Sequence, residues 1–183
     1  MLKHDMEQLG IPSYREHVFR AAERMDGELI YNGSVVHAQV IVEALLLTAR
    51  KTVKILSDGL NQGVYGHPFT IYAAKRFLAG SEDRKIQVVH ERPELDGGQQ
   101  NLFANEFAGH PRVTIRQLAS HVTPHVRFHM SIADGTSYRF EEDKLGRAAI
   151  ASFGGDNKTA AHLESLFDTL WVWTSENQAV AVA

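Results

Sequence analysis

Four polar residues fall at alternate positions in one short segment: His125, Arg127, His129 and Ser131. On a strand, side chains alternate between the two faces, so these four would share one face. Such a face suits a phosphate group. An arginine offers a planar fork to phosphate oxygens, and a neighbouring histidine donates a hydrogen bond when charged or acts as base or nucleophile when neutral. The same pattern also describes a solvated strand surface with no ligand, and a strand with phosphodiesterase chemistry centred on His129. The segment alone leaves all three readings open. Asp134 and Gly135 follow directly, and Asp-Gly is also a common hairpin turn that would join two strands without chemistry.

Other candidates are weaker. His121, His125 and His129 are spaced by four, as ligands on a helix would be, but Pro124 interrupts a helix there. On a strand, residues four apart lie about 13 Å from each other, whereas zinc holds its nitrogens at about 2 Å. No metal site is expected, and no cofactor. Ser57 with Asp58, and His90 with Glu91, each follow an expected strand, where open α/β sheets usually bind ligands. Their alternative is an ordinary loop surface. Gly59, Gly63 and Gly66 are too loosely spaced, and lack the following lysine, for a phosphate loop.

The elements that would position these residues can be read from periodicity. Ser13 to Met25 has helical spacing at Tyr14, Val18, Ala21 and Ala22, and Gly27 ends it. Glu28–Tyr31 is short and β-leaning, and Val36 to Lys51 is an apolar helix packed on more than one side. Strands are predicted at 52–56, 85–89 and 112–116, with helices at 72–78 and 99–107 between them. Strand-helix alternation of this kind favours parallel strands with helical crossovers. After Pro124 the runs Val126–Ala133, Ser137–Phe140 and Ala148–Phe153 are short and separated by turns, so this part should be antiparallel. Lys158–Trp173 is the clearest amphipathic helix, with Trp171 and Trp173 expected in the core or at a subunit interface. The last ten residues read as frayed, and His90–Gly98, with Pro93 and two adjacent glycines, as the least structured stretch.

The 183 residues suit one domain with its own core. With 44% hydrophobic residues, 22% charged residues and a formal charge of −3, the chain lacks the Lys and Arg excess of strong nonspecific nucleic-acid binders. It has no cysteine, which excludes disulfides and thiol chemistry and fits a reducing compartment. The N-terminus carries charges where a signal peptide needs an apolar core, and no apolar stretch approaches the roughly 20 residues of a membrane span. A cytoplasmic protein without a membrane partner is expected.

The order of elements resembles one half of a phospholipase D superfamily protein. The segment Val42-Glu-Ala-Leu-Leu-Leu-Thr-Ala-Arg-Lys-Thr-Val-Lys-Ile-Leu looks like that family's first helix running into its first long strand, and Ala160-Ala-His-Leu-Glu-Ser-Leu-Phe-Asp-Thr-Leu-Trp looks like its closing helix. Arg127-Phe-His-Met-Ser-Ile-Ala-Asp-Gly falls where the family places its signature of His, Lys two positions on, and Asp five further. Asp134 and Gly135 match the end of that signature; Arg127 occupies the nucleophile position and His129 the lysine position. The resemblance implies an α/β fold with a mixed sheet flanked by helices, an N-terminal helical segment over 1–27, a phospholipase D-like domain over 28–174 and a flexible tail over 175–183. It also implies a bacterial-type homodimer, because a one-half protein gains its second catalytic histidine only from another copy. Arginine stays protonated and cannot attack phosphorus. The expectation is therefore a noncatalytic binding, sensing or scaffold domain for a phosphate-bearing ligand or nucleic acid. Its ligand residues would be His125, Arg127, His129, Ser131, His90 and Glu91. The alternative is a dimeric, metal-independent phosphodiesterase or nuclease using His129, with Asp134 in support.

Overall fold

A computed structural model describes residues 10–92, 101–144 and 148–175. The elements run α1 (Ile11–Arg24), β1 (Ile30–Asn32), α2 (Val35–Thr48), β2 (Thr52–Ser57), α3 (Pro68–Ala79), β3 (Lys85–His90), α4 (Leu102–Glu106), β4 (Val113–Leu118), a 3-10 turn (Thr123–His125), β5 (His129–Ala133), β6 (Ser137–Glu141), β7 (Ala149–Ser152), α5 (Asn157–Val172) and β8 (Thr174–Ser175). One mixed sheet of the described residues has the order β1-β7-β6-β5-β2-β3-β4-β8. Strands β2, β3 and β4 are parallel and linked by helices, whereas β5, β6 and β7 form an antiparallel meander. The two halves meet where β2 pairs antiparallel with β5. The α/β class and the change of character after Pro124 are as the sequence predicts.

Local chemistry sets the helix starts. The Ser34 hydroxyl accepts the His37 backbone N–H at 3.1 Å to open α2, and Asp156 accepts the Thr159 N–H at 3.3 Å to open α5. Pro68 fills the first turn of α3, where a missing N–H costs nothing. Met25, in the left-handed conformation, closes α1.

Two apolar clusters cover the two faces of the sheet. On one face α1, α2 and α3 pack together with Tyr14, Ile41, Leu45, Ile55, Phe77 and Val88 buried. Helix α2 is buried almost all round because α1, α3 and the sheet surround it. On the other face α5 lays Ala160, Leu163 and Phe167 against Met130, Ile132 and Tyr138. Each fully buried large side chain contributes about 1.5–3 kcal/mol, so the two clusters hold the sheet between layers. Among the described residues no helix is long and apolar enough to cross a membrane.

The structure differs from the sequence reading in four places. The strand expected over Val126–Ala133 begins only at His129, because Pro124 starts a 3-10 turn that ends at His125, and 126–128 are not in a strand. Trp173 is exposed, which removes the core and leaves the subunit-interface half of that expectation, since the buried stripe of α5 ends at Phe167 and Trp171 is only partly covered. Thr174 and Ser175, expected to be frayed, pair with Leu118 and Gln117 of β4. Of the helix expected over 99–107, the described residues show Leu102–Glu106, where the Asn101 side chain accepts the Ala104 N–H at 3.0 Å and so caps it. The expected tail beyond residue 175 and most of the loop after His90 lie outside the described residues.

Candidate binding cleft

The carboxyl ends of β2 and β3, the start of β5 and the end of β6 converge on a cleft of about 640 Å³. Ser57 and Asp58 reach it from the end of β2, and Glu91 and Arg92 follow directly after β3. Antiparallel pairing puts Glu141 opposite His129 and Arg139 opposite Ser131, on the side of the sheet that faces Tyr65. Ser34 and Val35 bring the amino end of α2 to the rim, the positive end of the helix dipole.

His129 sits at the centre of a charged chain. Its Nε2 lies 3.3 Å from Glu91 Oε1 and its Nδ1 lies 3.6 Å from Glu141 Oε2. Neither His129 Nε2 nor Glu91 Oε1 has an aligned hydrogen bond, and the contact is an ion pair when His129 is protonated. The other Glu91 oxygen accepts from Lys144 Nζ at 2.5 Å, and Glu141 lies 3.3 Å from the Arg139 guanidinium. Arg139 Nε in turn donates to Asn32 Oδ1 at 3.2 Å. The Glu91 side chain is only 1% exposed.

Burial alone would lower the His129 pKa, but its contacts with Glu141 and Glu91 outweigh that and raise it above the ordinary imidazole value. Burial pushes the Glu91 carboxyl up, yet His129 and Lys144 bring it below the usual carboxylate range. Glu141 shows the same balance, with burial opposed by His129 and Arg139. The cluster therefore favours an imidazolium between two carboxylates. A charged imidazole has no free lone pair, so it can donate to an anion but cannot attack phosphorus.

The residues anticipated from sequence separate into groups. His129 and Glu91 meet in the cleft. Ser131 shares the His129 face, but it is buried and its hydroxyl is 3.0 Å from that of Tyr65. His125 ends the 3-10 turn and Arg127 is exposed ahead of β5, so the predicted four-residue face is not formed: only His129 and Ser131 lie on the strand. His90 directs Nδ1 to the Arg92 carbonyl at 2.6 Å, and burial lowers its pKa. Asp134 lies at the opposite end of β5 from the cleft. It occupies the turn to β6 at φ 54, followed by Gly135 at φ 64. Its carboxylate accepts the backbone N–H groups of Arg50, Lys51 and Thr52 at 2.6, 2.8 and 2.8 Å. Among the described residues no group of three or more His, Asp and Glu is arranged to hold a metal ion.

Arg139, Glu141, Lys144 and Arg92 were not singled out from sequence. For the first two a signal was present. If the ends of the two expected strands, Ala133 and Ser137, pair across a three-residue turn at 134–136, counting outward places Arg139 opposite Ser131 and Glu141 opposite His129, as observed. Nothing in the local sequence marks Lys144, which reaches Glu91 across the fold.

No protein-family profile and no curated protein matches the sequence. Solved structures do match. NucT from Helicobacter pylori superposes with a TM-score of 0.55 at 13% identity, over 81% of this chain and 99% of that one. Nuc from Salmonella typhimurium, a phospholipase D family member, gives 0.53 at 13% identity, over 81% and 95%. TrmBL2, an archaeal chromatin protein with a novel mode of DNA binding, gives 0.56 at 15% identity, over 90% of this chain and 61% of that one. With a mixed sheet flanked by helices and these structural neighbours, the chain has a phospholipase D-like α/β fold.

Proposed function

We propose that this protein is a non-hydrolytic binding module that takes a phosphate-bearing group into the cleft, in the cytoplasm and as a homodimer. The observation that carries the reading is the position of His129 between Glu91 and Glu141, which favours its charged form. Four groups that can carry positive charge, Arg92, His129, Arg139 and Lys144, line the cleft with three carboxylates, Asp58, Glu91 and Glu141. With His129 protonated the lining has an excess of one positive charge, although the whole chain is negative. A phosphate would exchange internal ion pairs for charge-assisted hydrogen bonds from the same cations. The likeness to TrmBL2, a chromatin protein that binds DNA, supports a phosphate-bearing polymer as one such ligand.

The test has two arms. Hydrolysis of bis-p-nitrophenyl phosphate and of single- and double-stranded DNA is measured with EDTA, for wild type and His129→Ala, at a concentration where light scattering detects a dimer. No turnover in either protein is expected; EDTA-resistant turnover that vanishes with His129 makes the protein a phosphodiesterase and overturns the reading. In the second arm, titration with inorganic phosphate should shift the His129 imidazole resonances, and Arg139→Ala should weaken that binding about tenfold. Unshifted resonances would remove phosphate from the cleft.

A further inference from the structure

Helix α3 follows the cleft-lining loop directly and carries an aromatic surface that the cleft does not use. Phe69 is 55% exposed and Tyr72 is 58% exposed, three residues apart and therefore on one face. Arg76, one turn beyond Tyr72, is exposed as well, and the sequence of α3 contains no Asp or Glu. The Phe69 ring is supported from below. The Arg15 guanidinium lies 5.4 Å from it and 4.7 Å from the Phe19 ring, and the His67 ring meets its edge at 5.2 Å between centroids. Arg15 itself is fixed by a two-pronged contact with Glu43, which is buried in α2. One aromatic ring is thus held in place and a second stands beside it. The opposite face of the helix buries Ala73, Ala74, Phe77 and Leu78 in the core, so the helix cannot rotate to hide either ring.

A large apolar side chain left open to water indicates a partner more often than an accident when several cluster. The charges choose the partner. Lys75 and Arg76 are the charged residues of α3; Lys75 pairs with Glu106, and Arg76 has no ion pair among the described residues. Flat aromatic faces with a cation at the end of the row match unpaired nucleobases joined by phosphates, because every base has a stacking face and every linkage a negative charge. We propose that Phe69 and Tyr72 form a stacking platform for single-stranded nucleic acid, with Arg76 on its backbone. This surface is separate from the phosphate site in the cleft and does not depend on it.

The experiment is fluorescence anisotropy of the full chain with labelled oligodeoxythymidine, the same oligonucleotide made abasic, and a duplex. Wild type should bind the oligodeoxythymidine more tightly than either of the others. Phe69→Ala with Tyr72→Ala should weaken that binding by roughly 30-fold or more, Phe69→Trp should retain it, and Arg76→Ala should reduce the salt slope by about 0.7. Both rings are exposed, so the variants should melt as wild type does. Arg139→Ala, which addresses the cleft, should leave the preference for bases over abasic sites intact. The proposal is overturned if wild type fails to bind the oligodeoxythymidine, if the abasic strand binds equally well, or if the double alanine variant binds as wild type. It is also overturned if light scattering shows that the double variant dissolves a dimer, which would make the rings a subunit interface.

Discussion

The two ends of β5 use acidic groups in opposite ways. At one end Asp134 gives its whole carboxylate to three backbone N–H groups, and nothing there faces a ligand. At the other, Glu91 and Glu141 are paired only with side chains, around an open cleft. Backbone donors cannot be displaced without opening the sheet, whereas side-chain cations can turn from a carboxylate to an incoming anion at little structural cost. The resemblance to the family signature spans both ends, but only the His129 end retains groups that a ligand can reach.

Substitutions can break this contrast. The largest expected effect is from Asp134→Ala, which strands three donors and places alanine at a positive φ; unfolding in urea should show a loss of about 3 kcal/mol. The phosphate-induced shift of His129 should survive below the new midpoint. A loss of phosphate binding from the folded variant would show that the two ends are not independent. Next, Glu91→Gln should cost about 2 kcal/mol, because Lys144 and His129 lose a buried charge partner. It should also lower the His129 pKa in an NMR titration; an unchanged pKa would assign the rise to Glu141 alone.

The smallest effect is that of pH on the wild type. His129 has a folded pKa above its unfolded one, so its contribution is complete below the ordinary imidazole value and disappears as pH rises through the folded value. Glu91 and Glu141 have folded pKa values below their unfolded ones, so their contribution is complete above the ordinary carboxylate value and is lost as pH falls through the folded values. Stability from this cluster should therefore be greatest between the two ordinary values. In Asp134→Ala the alkaline loss should persist, and in His129→Ala it should be absent.

Much of the architecture was legible because its causes are local. The strand patterns of β2 and β3, the apolar run of α2 and the stripe of α5 each specify an element within a few residues. The site was less legible. His129 and Glu91 could be picked out by type and by their place beside a strand, but their contact depends on β3 and β5 flanking β2 on opposite sides, which no short window records. The four-residue polar face failed for a local reason, since Pro124 diverts the chain just ahead of the strand. Lys144 was invisible because its role is defined by Glu91, far away in sequence.

The anchoring of residues 50–52 by Asp134 also orders events during synthesis. The parallel partner of strand β2, β3, is complete by His90, but its other neighbour, β5, begins only at His129. Until that segment emerges, one side of the central strand presents unpaired N–H and C=O groups, the kind of edge that recruits foreign strands. Between the emergence of β3 and that of β5 the nascent chain carries part of the sheet with an open flank, and arrival of the Asp134 turn closes it.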